Sequence, residues 1–195
     1  MTTAFVSLFR GINVGGNHQV KMDELRALHE SLGLRDVLSY IQSGNVVFHC
    51  DDANVAQLRS QIERSFETTF GFHSEVLIRT SDELQEIITY NPFQGQPGKE
   101  LKLVLVMFLA VRPDDAAQED LLKSYGGPEE LRIIGKEVHI YYPNGMGRSK
   151  LSGTFIEKKL KTAGTARNWN TVLQLQQLMQ RHVQPSDSGI WKTPG

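Results

Sequence analysis

The chain has 195 residues, of which 39% are hydrophobic and 22% are charged, and its formal net charge is −1. This composition is that of an ordinary globular protein, long enough for one large domain or two small halves with a shared core. The near-zero charge argues against a protein that coats nucleic acid non-specifically, since such proteins carry a large basic excess.

The chain carries no sequence signal for a membrane or for secretion. No apolar run approaches the ~20 residues that a membrane-spanning helix needs, so we expect no membrane partner. The N-terminus reaches Arg10 without the pattern of a signal peptide, and the single cysteine, Cys50, cannot form an internal disulfide. We therefore expect a cytoplasmic protein, whose oligomeric state the sequence leaves open.

The first 79 residues predict the order β-α-β-β-α-β, which is that of ferredoxin-like folds. Apolar periodicity predicts a strand at 3–9, a helix from Met22 to Leu32, strands at 37–41 and 46–49, a helix at 52–70 and a strand at 73–79. A glycine-rich loop at 10–17 joins the first strand to the first helix. Gln42–Asn45 joins the two middle strands as a hairpin turn, and a turn needs these residue types whether or not they bind a ligand.

A boundary between two halves is predicted near residues 91–100. Ser81 is expected to cap a short helix that lacks the acid of a capping box, and a segment rich in proline and glycine follows it. We therefore expect an N-terminal ferredoxin-like half at 1–90, a linker at 91–100, a C-terminal ferredoxin-like half at 101–183 and a mobile tail at 184–195.

The second half predicts the order β-α-β-β-α-α. Its elements are a strand at 101–111, a helix at 113–125, a hairpin of strands at 131–134 and 137–142, and helices at 149–161 and 168–183. The predicted fold class is therefore α+β, with two ferredoxin-like halves packed as one compact body. We expect the halves to share an interface, because the second half lacks a fourth strand in this prediction.

One stretch near the C-terminus is strongly basic. From Gly145 to Asn170 there are six lysines and arginines and one acid, Glu157, so this stretch carries +5 in a chain that carries −1 overall. Its two turns, Gly145–Ser149 and Gly164–Asn168, are each predicted to open a helix. Because a helix start offers unpaired N–H groups, a basic side chain beside it favours an anion site.

Other signals for chemistry are weak. The 10–17 loop lacks the Gly-Lys-Ser/Thr ending of a phosphate-binding loop, and no nucleophile–base pair is recognisable. The six histidines have no metal-ligand spacing and are expected at the surface or its rim. Phe5, Phe9 and Phe48 could suggest an RNA-recognition module, but the third strand lacks the basic-Gly-aromatic signature, so core packing is favoured. We expect no cofactor and no metal.

Lys159 is predicted to lie on the apolar face of the helix at 149–161, among Leu151, Phe155 and Leu160. Its side chain could extend along its aliphatic stem to water. Otherwise its ammonium needs an acid, carbonyl groups or a bound anion. In the second case we expect it to open toward the space between the Arg10 loop and the Arg167 turn.

Five motifs along the chain are similar to those of one protein family. They are Phe9-Arg-Gly-Ile-Asn-Val-Gly-Gly-Asn17, Tyr40-Ile-Gln-Ser-Gly-Asn-Val-Val-Phe48, Asn91-Pro-Phe93, Gly147-Arg-Ser-Lys-Leu151 and Thr165-Ala-Arg-Asn-Trp-Asn-Thr171. From Ala4 to about Val183 the chain resembles the bacterial family labelled domain of unknown function 1697. The resemblance implies an α+β fold with ferredoxin-like halves and brings no established activity, substrate or cofactor.

The polar residues of these motifs lead to a binding hypothesis. We predict that an anionic small molecule or a nucleic-acid end binds at a basic site between the halves, held by Arg10, Asn13, Gln42, Asn45, Arg148, Ser149, Lys150, Lys159, Arg167, Asn168 and Asn170. Two alternatives remain. One is an enzyme that acts on a phosphorylated substrate, with Lys159 as acid, base or charge stabiliser. The other is a protein-interaction module with a basic face.

Overall fold

The computed structural model describes residues 2–16, 18–51 and 54–181. The strands are β1 (Thr2–Phe9), β2 (Arg35–Tyr40), β3 (Asn45–Asp51), β4 (Val76–Thr80), β5 (Val104–Leu109), β6 (Glu130–Ile134), β7 (Glu137–Tyr141) and β8 (Gly164–Asn168). The helices are α1 (Met22–Ser31), α2 (Val55–Phe70), α3 (Ser81–Thr89), α4 (Asp115–Ser124), α5 (Gly153–Leu160) and α6 (Trp169–Arg181). No helix in the described ranges is both long and apolar enough to cross a bilayer.

The eight strands form two antiparallel sheets with the same topology. Sheet I has the order β2-β3-β1-β4 and sheet II the order β6-β7-β5-β8. Each sheet therefore places the first strand of its half in the centre, between the third and fourth strands, as ferredoxin-like folds do. The predicted α+β fold with two ferredoxin-like halves is confirmed.

Both sheets are covered by helices on both faces. Along β1, Ala4, Val6 and Leu8 pack in one core cluster, while Phe5 and Phe9 pack in another with α1 and α2. The first cluster also contains buried residues of α3, α6 and β5, so these two helices lie between the sheets. The helices α4 and α5 cover the outer face of sheet II. The resulting order of layers is α1 and α2, sheet I, α3 and α6, sheet II, α4 and α5.

The strand β8 corrects the predicted element order of the second half. Gly164–Asn168 was expected to be a turn, but it pairs with β5 from Leu105 to Leu109, so the order is β-α-β-β-α-β-α. The segment begins with glycine and lacks alternating apolar residues. It lies at the edge of sheet II, and one of its buried side chains is the charged Arg167. Its strand conformation is set by hydrogen bonds to β5, which local sequence does not report.

Several element ends also differ from prediction. The N-cap of α3 is Thr80 rather than the expected Ser81, and Glu83 completes a capping box, which was not expected. The predicted strand 101–111 is a 3-10 turn at Leu101–Leu103 followed by β5. The helix predicted from 149 begins at Gly153, after a 3-10 turn at Met146–Arg148. The predicted tail 184–195 lies outside the described residues, and the limits of the halves and linker stay predictions.

Candidate functional site

The Arg10 loop and the β2–β3 hairpin tip meet at one end of sheet I. In the antiparallel register Leu8 is opposite Asn45, and the amide of Phe9 donates to the carbonyl of Gly44 over 2.9 Å. Gly44 has a φ of +70°, and a Cβ there would lie 2.6 Å from Ile12 Cδ1. Only glycine tolerates both this conformation and this approach. The glycine of the hairpin motif is therefore explained by packing.

Asn13 joins the Arg10 loop to the hairpin tip through its amide group. Its Nδ2 donates to the carbonyl of Gln42 over 2.8 Å and to the carbonyl of Val20 over 3.0 Å. Its Oδ1 accepts from the amide of Val20 over 2.7 Å. The polar atoms of Asn13 are thus occupied within the protein, whereas Gln42 is exposed.

Arg10 forms an ion pair that connects the two halves. Its Nε and Nη2 donate to the two carboxylate oxygens of Glu157 on α5, each over 2.8 Å. Its Nη1 lies 3.3 Å from a carboxylate oxygen of Glu75. The hydrogen bond to Glu157 raises the pKa of Arg10 above its usual value. The anionic partner that a guanidinium requires at this position is therefore supplied by the chain itself.

Arg167 of β8 is buried, and its hydrogen-bond acceptors among the described residues are neutral. Its Nε donates to Asn45 Oδ1, and its Nη2 donates to the carbonyls of Phe9 and Ser43, each over 3.0 Å. Its Nη1 donates to Thr165 Oγ1 over 2.9 Å and to the carbonyl of Ala166 over 2.8 Å. Burial lowers the pKa of Arg167 to about 10, which leaves it protonated at neutral pH. Its donors hold the hairpin tip of sheet I against the edge of sheet II.

The turn at 145–150, which we call the basic turn, is the most exposed part of the basic stretch. Arg148 and Lys150 are exposed, and neither has an acid within salt-bridge distance in the described parts of the chain. Ser149 is half-buried, and its Oγ accepts from the amide of Leu151 over 3.0 Å. The helix that was expected to begin at residue 149 begins four residues later, at Gly153. Ser152 caps it by accepting from the amide of Phe155. The basic turn therefore offers cations, while one of the amides at the helix start, that of Phe155, is already bonded.

Asn168 and Asn170 lie at the start of α6, and both are exposed. The Oδ1 of Asn168 accepts from the amide of Thr171 over 2.8 Å, as expected of an N-cap. In sheet II Asn168 is opposite Leu105, and Tyr141 is opposite Val104. The start of α6 and the segment that leads from β7 into the basic turn thus leave the same end of sheet II.

Lys159 does not point toward the space between the Arg10 loop and Arg167. Its Nζ lies 3.0 Å from Asp120 Oδ2 and 2.8 Å from Ser124 Oγ, both on α4. The hydrogen bond from Lys159 holds the pKa of Asp120 below its usual value. Lys159 contacts an acid, as expected, but this acid lies on α4 and not between the Arg10 loop and Arg167. The reason is that α4 and α5 pack side by side on sheet II.

The cavity beside these loops does not favour an anion. It has a volume of about 790 Å³ and is lined in part by Asn13, Gln42, Lys21, Asp23 and Glu24. The two carboxylates are paired, Asp23 with Arg26 and Glu24 with Lys21, so the charged groups of this wall are already neutralised within the protein. Among the described residues, no group of three or more His, Cys, Asp or Glu side chains could hold a metal ion.

Comparison with known proteins agrees with this architecture. The model of the family described as protein of unknown function (DUF1697) matches residues 1–139. The chain belongs to this family. It is also similar to the solved structure of the conserved bacterial protein SP0830 from Streptococcus pneumoniae, with 26% identity and a TM-score of 0.71, over 92% of this chain and 99% of that one. No curated protein matches the chain.

The part matched by the DUF1697 model ends before the motifs at 147–151 and 165–171. The matched part includes Arg10, Asn13 and Asn45. It excludes Glu157, which pairs with Arg10, and Arg167, which donates to Asn45. Sequence reasoning missed Glu157, because one acid in a basic helix is typical of a solvent-exposed ion pair. The sequence did contain a signal for it, because Glu157 is the one acid in a stretch that carries six cations.

Replacing Glu157 by Gln should lower the free energy of unfolding by about 1–2 kcal/mol, since it removes a charged acceptor from Arg10 and weakens the acceptor of the Gly164 amide. We expect no larger effect, because Arg10 is 42% exposed and solvent screens the pair. Urea denaturation would measure the change. Glu30→Gln, at an exposed site on α1, is the matched control. Equal stability of the two variants would contradict a stabilising role for the Arg10–Glu157 pair.

Proposed function

We propose that this DUF1697 protein binds an anionic ligand with a phosphate group, such as a nucleotide or a nucleic-acid end, at the basic turn. The supporting observation is that Arg148 and Lys150 are exposed and lack an acidic partner among the described residues. The other cations of the site predicted from the sequence already have partners. Arg10 is paired with Glu157, Lys159 with Asp120, and Arg167 donates five hydrogen bonds.

In this proposal, neutral polar groups at the end of sheet II from which the basic turn leaves complete the site. Asn168 and Asn170 are exposed at the end of sheet II from which the basic turn also leaves. The bond from Arg167 to the Ser43 carbonyl brings the hairpin tip, with exposed Gln42, next to β8. In this proposal Arg148 and Lys150 bind the phosphate, and these three amides contact the rest of the ligand. Arg10 and Arg167 fix the loops that surround it.

Two exposed cations favour a phosphate over a neutral ligand for an electrostatic reason. A phosphate monoester carries close to two negative charges at neutral pH, and Lys and Arg side chains pair with it through charge-assisted hydrogen bonds. The whole stretch from Gly145 to Asn170 carries +5, so its field attracts anions in general. Because exposed charges are screened, we expect affinity to fall as salt increases.

Replacing Arg148 by Glu should weaken binding of inorganic phosphate, AMP and a 5′-phosphorylated trinucleotide by about tenfold or more. Losing a hydrogen bond to a charged group costs about 1.5–3 kcal/mol, and 1.4 kcal/mol is tenfold. The free energy of unfolding should change by less than about 0.5 kcal/mol, since Arg148 is exposed. Titration calorimetry and thermal unfolding would measure the two quantities.

The control is Arg64→Glu, because Arg64 is an exposed arginine on α2 and its reversal changes the net charge equally. Equal weakening in both variants would mean that only the overall field matters and would contradict a site at the basic turn. If none of the three probes binds the unmodified protein, the site at the basic turn is also contradicted. Turnover of a probe would favour the alternative in which the chain is an enzyme.

A further inference from the structure

A second cavity lies between α3 and the β6–β7 hairpin, away from the basic turn. Its volume is about 410 Å³, within the range of ligand pockets. Ile87 and Tyr90 line it from the α3 side, and Ile134 lines it from β6. Tyr90 is 65% exposed and Ile134 is 41% exposed, so large apolar surfaces face solvent at its opening. A ligand that covers these side chains would remove apolar area from water.

A buried imidazole without a hydrogen bond at one nitrogen also lines this cavity. His139 of β7 is 1% exposed, and its Nδ1 has no hydrogen-bond partner among the described residues. Leaving such an atom unpaired costs about 1–3 kcal/mol, so it needs an explanation. Burial lowers the pKa of His139 to about 4, which keeps the ring neutral near pH 7. Its free nitrogen therefore suits an uncharged polar group better than a phosphate.

The charged side chains around the cavity are balanced. Glu137 accepts from Arg79 Nε over 2.8 Å, and Lys136 Nζ lies 3.1 Å from Glu83 Oε1. The remaining two charged lining residues, Glu86 and Arg112, are both exposed and of opposite sign. With no excess of either charge, the wall does not select an ion. The charge distribution and the neutral imidazole therefore point to the same ligand chemistry.

We propose that this cavity binds an uncharged nitrogen heterocycle about the size of a nucleobase. The ring lies against Ile87, Tyr90 and Ile134, and a polar atom on its edge forms a hydrogen bond with His139 Nδ1. A planar ring with polar atoms on one edge provides both the apolar faces and the single hydrogen-bonding group that the walls match. This site is independent of the phosphate site at the basic turn, and either could exist without the other.

The test uses adenine and 2-pyridone as uncharged probes and benzoate as a charged ring of similar size. Each is titrated into the full chain with isotopically labelled histidines, and the His139 ring signals are followed by NMR. We expect saturable shifts of the His139 signals with at least one uncharged probe, and at least tenfold weaker binding of benzoate. If neither uncharged probe shifts these signals, or benzoate binds as tightly, the proposal is wrong.

Two variants test the binding mode. His139→Phe keeps the ring volume and removes the polar atom, so binding, followed here by calorimetry, should weaken at least fivefold. Tyr90→Ser removes an exposed ring and does not endanger folding, and binding should weaken severalfold. His73→Phe, at a half-exposed histidine before β4, is the control and should bind normally. If His139→Phe does not fold, Tyr90→Ser decides, and undiminished binding by that variant would overturn the proposal.

Discussion

Lowering the pH from 7.5 to 5 should reduce the free energy of unfolding by about 4 kcal/mol. Burial lowers the pKa values of His29 and His139 to about 4. In the unfolded chain both rings take up a proton as the pH falls through 6.5, while in the folded protein they stay neutral until about pH 4. Protons therefore favour the unfolded state throughout this window, by about 2 kcal/mol for each histidine at pH 5.

The contacts of His29 explain why the folded protein keeps it neutral. Its Nδ1 lies 2.8 Å from the carbonyl of Leu25, so this nitrogen carries the proton. Its Nε2 lies 2.9 Å from Ser7 Oγ, which donates to it in this tautomer. The ring also packs edge-on against Phe9, in a core cluster of apolar side chains. Protonation would thus place an unpaired charge among aromatic side chains.

Variants separate this effect from the general titration of the chain. His29→Gln should remove about half of the loss between pH 7.5 and 5, because glutamine cannot take up a proton. His73→Gln replaces a histidine whose side chain is 53% exposed and should keep the full loss. Urea denaturation at closely spaced pH values would measure both. A stability profile that is flat between pH 7.5 and 5 would contradict the burial of neutral imidazoles.

The fold was predictable wherever one strand or helix carries its own apolar pattern. The apolar run of β1 predicts a buried strand, and the apolar spacing in α2 is that of an amphipathic helix. The strand β8 was not predictable in this way. Its residues are those of a turn, and only the backbone of β5 gives them strand geometry. A short edge strand whose partner is distant in sequence carries little local signal.

The sequence selected candidate residues, whose ligand-binding role stays a prediction, but it could not show their contacts. Asn13 bonds to the carbonyl of Gln42, and Arg167 joins Asn45 to sheet II, while Arg10 pairs separately with Glu157. The sequence could not show that Glu157 pairs with Arg10, since the two residues are 147 positions apart. It also favoured surface positions for histidines, whereas His29, His49 and His139 are buried. These outcomes depend on which faces of distant elements meet.

Replacing Arg167 by Met should lower the free energy of unfolding by about 3 kcal/mol or more. Methionine keeps the length of the side chain but leaves Asn45 Oδ1 and the carbonyls of Phe9 and Ser43 without their donor. Each buried acceptor without a partner costs about 1–3 kcal/mol, and part of this is offset because a guanidinium is no longer desolvated. Urea denaturation would measure the change.

Two further variants show whether the geometry of the guanidinium or only its charge matters. Arg167→Lys keeps a positive charge but has three rotatable donors in place of five in a fixed plane, so it cannot reach all the acceptors on both sheets. We expect it to lose about 2 kcal/mol. Lys158→Met, at an exposed position on α5, should change stability by less than about 0.5 kcal/mol. If Arg167→Lys were as stable as the unmodified protein, charge alone would suffice. If Arg167→Met were equally stable, β8 would not hold the hairpin tip through this side chain, and the joining of the two sheets would rest on the packing of α3 and α6 between them.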